Sequence, residues 1–105
     1  MSRMNFQTLV DSFVKEYQLE TSVEIRLLDL QSELGELAKE ALKGNQYGKS
    51  KFTTTPNWEE ELADAFFSLV CIANSTGVNL DTALEKALGK YRTRIEERGK
   101  ADSGR

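Results

Sequence analysis

The run AFFSLVCIA, from Ala65 to Ala73, contains one polar residue, Ser68. Wound at 100° per residue, its side chains project in nearly every direction, and a helix that is apolar all round is buried on most sides. The run is far shorter than the ~20 apolar residues needed to cross a bilayer, so its cover must come from protein. No segment of the chain shows the period-2 alternation of a half-buried strand, so that cover must be helical. The expected fold class is all-α: a four-helix bundle-like domain.

Apolar spacing predicts four helices. The first runs from about Asn5 to Tyr17, with Phe6, Leu9, Val10, Phe13 and Tyr17 on one face. The second runs from about Ser22 to Lys43, with Ser22 as N-cap and Gly44 at the position of a C′ glycine. Its apolar face is Val23, Leu27, Leu30, Leu34, Leu37 and Ala41. The third starts near Thr55 or Asn57, where Pro56 suits a first turn and Asn57 with Glu60 fits a capping box, and stops near Gly77. The fourth runs from Asn79, as cap, to about Arg98 and is expected to bury Leu80, Leu84, Ala87, Leu88, Tyr91 and Ile95. The 105 residues suffice for one domain. It is placed at residues 1–98, with 99–105 as a flexible tail. A domain this small buries a modest share of its surface, so an oligomer is expected.

Composition excludes several functions. The net charge of -3 argues against a nucleic-acid partner, which calls for a basic face. There is no histidine, which removes Ser-His catalysis, His-Cys zinc sites and the Glu-x-x-His ligation of di-iron bundles. The single cysteine, Cys71, lies in the apolar run and packs as a small hydrophobe. No signal-peptide core precedes the first helix, so a cytoplasmic protein without membrane partners is the expectation.

The carboxylates form a pattern. On the second helix Asp29, Glu33, Glu36 and Glu40 fall within about 60° of one another. On the third, Glu61, Asp64, Ser68 and Ser75 share the one polar slot of the apolar circumference. A buried, unpaired carboxylate is expensive, so Asp64 calls for a cation from a neighbouring helix or for a metal ion. The pairs Glu33/Glu36 and Glu61/Asp64 each have i,i+3 spacing, and neighbouring helices can turn them toward each other. Four carboxylates without histidine suit hard cations, Mg²⁺ or Mn²⁺ in its place, and Mg²⁺ commonly shares its coordination with substrate phosphates. The alternative is a solvated acidic stripe relieved by Arg26, Lys39 and Lys43.

Basic residues complete the parts. Lys86, Lys90 and Arg94 follow at i, i+4 and i+8 on the fourth helix. They are either partners for Glu85 and Glu96 or clamps for phosphate oxygens. The connection from Lys43 to Pro56 carries Lys43, Lys49 and Lys51 with Tyr47 and Phe52 and no acid. It is either a solvated loop or a mobile loop meeting phosphate or base. Trp58, one turn before Glu61, either continues the core with Leu62 and Ala65 or stacks on a base; Asn74 is another candidate reader. Acids for metal and bases for phosphate together suit metal-assisted cleavage of a phosphoanhydride.

Glu33-Leu34-Gly35-Glu36, then 24 residues, then Glu61-Leu62-Ala63-Asp64 resembles the ExxE…ExxD signature of the MazG-like nucleoside triphosphate pyrophosphohydrolases, within the all-α NTP pyrophosphatase superfamily. The contexts SELGELAKE and EELADAFFSLVCIANSTGVNLDTAL are similar to that family, as is the segment KYRTR, and the resemblance covers about Ile25 to Arg98. Ser32 and Ala63 depart from its commoner acid and glycine without touching a ligand position. The resemblance implies an enzyme, homodimeric or homotetrameric, that uses Mg²⁺ to hydrolyse a (deoxy)nucleoside triphosphate to monophosphate and pyrophosphate. It implies metal ligation by Glu33, Glu36, Glu61 and Asp64, which are also the catalytic residues, and phosphate binding by Lys90 and Arg94. Removal of non-standard nucleotides is the role it suggests. A dUTPase-like or phosphoribosyl-ATP pyrophosphohydrolase-like enzyme, or a non-catalytic helical interaction module, are the alternatives.

Overall fold

In the computed structural model, which describes residues 5–99, four helices follow in order. They are α1 (Phe6–Glu16), α2 (Val23–Gly44), α3 (Trp58–Ser75) and α4 (Leu80–Arg98), with no strand among the described residues. Three N-caps are those the sequence indicates, or lie at the predicted start. Asn5 Oδ1 accepts from Thr8 N at 3.1 Å, Ser22 Oγ from Ile25 N at 3.2 Å and Asn79 Oδ1 from Thr82 N at 3.1 Å. Each satisfies an amide that a helix start leaves unpaired. The capping box at α3 does not form. Asn57 is itself in the helical region and its side chain caps nothing, while the Trp58 amide bonds the Thr55 carbonyl at 3.1 Å. Residues 100–105, and so most of the expected tail, lie outside the described residues; Gly99 closes α4 at φ +76°.

α2 and α3 pack along each other, and α1 rests on α3. The core is small: Val14, Ala65, Val70, Cys71 and Ala73 are its buried hydrophobics, Val70 completely so. Edge-to-face aromatic pairs, Phe6 with Phe66 at 5.4 Å and Phe13 with Phe67 at 6.2 Å, join α1 to α3. Arg26 is buried on α2, donates to the Leu19 carbonyl at 2.6 Å, and sets its guanidinium 5.7 Å from the Phe67 ring centre.

Two expectations of burial are corrected. The third helix is covered on one side and open on the other, with Leu62, Phe66 and Leu69 exposed, because α1 and α2 supply its main packing and leave that side uncovered. No described residue of α4 is buried: Leu84, Leu88, Tyr91 and Ile95 all stand open, because α4 packs along neither α2 nor α3. Its start is tied to α1 by the side chains of Gln7 and Asn74. Gln7 Nε2 donates to Asn74 Oδ1 at 3.0 Å and to the Val78 carbonyl at 2.7 Å. Its Oε1 accepts the Leu80 amide at 2.7 Å, and Asn74 Nδ2 donates to the Gln7 carbonyl at 3.0 Å. The α3–α4 turn is thus tied to the first turn of α1. The radius of gyration is 17.0 Å, whereas a compact domain of this length has about 13 Å.

Candidate metal centre

The pairing of α2 with α3 is antiparallel: Glu40 meets Thr55 at one end, and Glu33 meets Glu61 and Asp64 farther along. That register turns the two i,i+3 pairs toward each other. One oxygen from each of Glu33, Glu61 and Asp64 lies within 4.8 Å of the other two. Glu33 and Glu61 are half-buried and Asp64 is exposed, so Asp64 is not desolvated as its apolar helix suggests. The open flank of α3 accounts for this. Glu36 is exposed and stands outside the trio, near enough for its charge to act on Glu61.

Partial burial raises the Glu61 carboxyl above its ordinary 4.5, and the negative charges of Asp64, Glu33, Glu36 and Glu60 raise it further. The donor set fits a hard divalent cation: all-oxygen, anionic, drawn together from two helices, and mutually repulsive without positive charge between them.

A pH dependence follows. A carboxyl whose folded pKa is raised binds its proton more tightly in the folded state. Its stabilisation is full below about pH 4.5 and lost as pH rises through the folded value. Glu40 has the opposite sign: its carboxyl is lowered, chiefly by the Thr55 hydroxyl, and its contribution is lost as pH falls. Glu61→Gln therefore removes a fall in stability above pH 4.5 and leaves the Glu40 limb. Thermal unfolding of chelator-treated wild type and Glu61→Gln across pH 4 to 7 checks this; parallel curves exclude the repulsion.

Glu40, read from the sequence as part of the acidic stripe, serves a different purpose. It is buried, accepts from Thr55 Oγ1 at 2.5 Å and pairs with Lys43 at 3.2 Å, so it anchors the α2–α3 connection. The one signal of this in the sequence is Lys43 at i+3. The connection is pinned rather than loose: Tyr47 N bonds the Leu42 carbonyl at 2.7 Å and Thr53 N the Gly44 carbonyl at 2.9 Å. Gln46 and Tyr47 take φ of 53° and 59°, and Tyr47 points into solvent. Gly44 belongs to α2 and does not end it as a C′ residue; Asn45 is the C-cap. Trp58 is half-buried with its ring 5.0 Å from Phe52, edge to face. Asn74 has its amide engaged by Gln7. Lys86, Lys90 and Arg94 lie on α4, which does not pack along the helices bearing the carboxylates; Lys90 Nζ sits 5.2 Å from the ring centre of its neighbour Tyr91.

Fold and site together define an all-α protein with a cluster of oxygen donors between two antiparallel helices. The MazG nucleotide pyrophosphohydrolase domain matches residues 21–99, and the chain belongs to that family. It is 39% identical over 72 residues to the YpjD protein of Bacillus subtilis (strain 168), a match covering 66% of this chain and 63% of that protein. The alignment thus spans less than two thirds of that relative. Among solved structures it resembles a Bacillus-conserved MazG protein, a nucleotide pyrophosphohydrolase. That likeness has a TM-score of 0.73 and 30% identity, over 93% of this chain and all of the other. It likewise resembles the crystal structure of B. subtilis YPJD, with a TM-score of 0.73 and 34% identity over 90% of this chain and 99% of the other.

Proposed function

We propose that the chain is a Mg²⁺-dependent nucleotide pyrophosphohydrolase, cleaving (deoxy)nucleoside triphosphates to monophosphate and pyrophosphate. The observation that carries this is the meeting of Glu33, Glu61 and Asp64 oxygens within 4.8 Å on the two helices that bear the family's paired motifs. These three residues, with Glu36, would hold Mg²⁺ or Mn²⁺. When bound, the ion supplies positive charge to the phosphate oxygens and acidifies a water. Glu36, exposed beside the trio, orients the attacking water and takes its proton. Lys90 and Arg94, with Lys86, hold the phosphate chain, where arginine's planar fork suits paired oxygens. Trp58 lies one turn ahead of Glu61 with Phe52 against its ring, which suits it to border the base rather than to contact phosphate. We place the enzyme in the cytoplasm as a homodimer or homotetramer, acting on non-standard nucleotides; among the described residues no helix is long and apolar enough to cross a membrane.

The test is a panel of standard and modified triphosphates with identification of both products. The expected outcome is pyrophosphate and monophosphate in equal amounts, released with Mg²⁺ and not after chelation. Without nucleotide, metal at about 100 times its Kd stabilises the fold by ~2.7 kcal/mol, read as a rise in Tm. Orthophosphate as the only inorganic product, or turnover indifferent to metal, contradicts the assignment. A protein without turnover and without a metal-induced rise in Tm is an interaction module instead.

A further inference from the structure

Arg26 is buried to a relative exposure of 9%, yet its charge has no counter-ion. Its one hydrogen bond to protein runs from Nη2 to the Leu19 carbonyl, and the Phe67 ring centre is 5.7 Å from the guanidinium. No carboxylate among the described residues comes within 4.0 Å of it. Buried charges are ordinarily paired, and a guanidinium has more N–H donors than one carbonyl can use. No buried side-chain nitrogen among the described residues lacks a partner, so the unused N–H groups of Arg26 reach accessible space. The cavity that Arg26 lines, of about 100 Å³, is that space. Val14, Arg26 and Cys71 form its buried floor, and Glu20, Thr21 and Ser75 its exposed rim. It lies on the same α2–α3 seam as the carboxylate trio but apart from it. Arg26 precedes Glu33, and Cys71 follows Asp64, by seven residues each, which is about 10 Å of helix.

Size and charge select the occupant. A cavity of about 150 Å³ takes one benzene ring, so this one is too small for a nucleobase or a triphosphate and holds about four or five heavy atoms. Arg26 calls for an oxyanion, whose paired oxygens match the guanidinium fork. The surroundings limit that anion to a single charge. Asp11 lines the cavity while bonded to Lys15 at 2.8 Å, the charge of Glu20 also acts on Lys15, and that of Asp29 acts on the Cys71 thiol together with Arg26. Three acids thus surround two cations, a balance that repels a phosphate dianion. Val14 gives the floor an apolar wall that suits an alkyl group.

We propose that this cavity is a second ligand site, separate from the metal centre, for a small monocarboxylate: its oxygens take the free edge of the Arg26 guanidinium and its alkyl end rests on Val14. The Leu19 carbonyl keeps its bond to Nη2, so backbone and ligand together satisfy the buried charge. The site stands whether or not the metal centre turns over nucleotides.

Acetate is the probe, and Cys71, the only cysteine of the chain, is the reporter. The full chain is alkylated with iodoacetamide at a fixed, mildly alkaline pH and constant ionic strength, with chelator present and sodium acetate replacing sodium chloride. Acetate on Arg26 covers the thiol and adds negative charge beside it. Alkylation is therefore expected to slow in a saturable way, by about tenfold at about ten times the Kd. Phosphate at the same ionic strength is expected to leave the rate at its chloride value. Arg26→Met keeps an unbranched side chain and removes the fork, so acetate is expected not to change its alkylation rate. Where that variant does not fold, nuclear Overhauser contacts in wild type decide: the acetate methyl is expected against the Val14 methyls and the Cys71 β protons. A rate that responds to acetate no more than to chloride means that the acids of the chain itself satisfy Arg26, and overturns the proposal. Protection that survives Arg26→Met, protection by phosphate as strong as by acetate, or acetate contacts only at other residues overturn it equally.

Discussion

Asp64→Asn is expected to lower kcat with Mg²⁺ by at least about 10²–10³-fold, the scale of losing one charged contact to developing transition-state charge, while raising the Tm of the metal-free protein. The two signs come from one cause. Asp64 is the first of the charges acting on Glu61 and contributes one of three oxygens gathered within 4.8 Å. Asparagine keeps the shape and one oxygen donor but removes the charge, so the trio binds a divalent cation more weakly and repels itself less. Like charges at i,i+3 oppose a helix, and Asp64 is exposed, so the amide brings no burial cost. A loss of activity through misfolding lowers both quantities together; the opposed signs identify a site that holds repulsion in order to bind metal. Glu24→Gln, in the first turn of α2, is the control that leaves turnover unchanged. Near wild-type turnover by Asp64→Asn with Mg²⁺ defeats the assignment of the centre.

What the sequence disclosed is what neighbours along the chain decide. Ser22 and Asn79 cap their helices because the cap and its amide are three residues apart. The pairs Glu33/Glu36 and Glu61/Asp64 share faces by the helical repeat, and an antiparallel hairpin of two long helices brings both onto one seam. Contacts between distant positions were not legible. The latch of Gln7 to Asn74 spans 67 residues, and neither glutamine nor asparagine in a helix announces a partner. Glu40 follows Glu36 by the same four residues that separate Glu33 from Asp29, and only the return of Thr55 sets it apart from the carboxylate trio. The apolar face of α4 was legible as a face to be covered, but periodicity does not say by which chain. Reading that cover as internal placed Leu84 and Leu88 in a core that the single chain does not build.

Gly44→Ala is the second large effect, and its sign separates propensity from packing. Gly44 is the last residue of α2, and alanine in a helix interior is favoured over glycine by about 1 kcal/mol. A reading confined to the helix therefore predicts a gain, which is the expectation at Gly35, where an added Cβ meets nothing within 4 Å. At Gly44 the added Cβ runs into the Thr53 carbonyl oxygen and comes within 2.7 Å of the Phe52 ring. The ring can turn, but the carbonyl belongs to a backbone held by the Thr53 amide on the Gly44 carbonyl at 2.9 Å. Relief requires the segment from Phe52 to Thr55 to lift from α2, loosening the Thr55–Glu40 bond and the Phe52–Trp58 contact. Overpacking of this kind costs about 1–3 kcal/mol, enough to outweigh propensity and to lower Tm by roughly 4–8 °C for each kcal/mol of net loss in a domain of this size. Trp58 is the sole tryptophan, so its emission reports the same displacement. A Tm at or above wild type with unchanged emission means the connection yields freely, and Trp58 is then held by its own helix rather than by the returning loop.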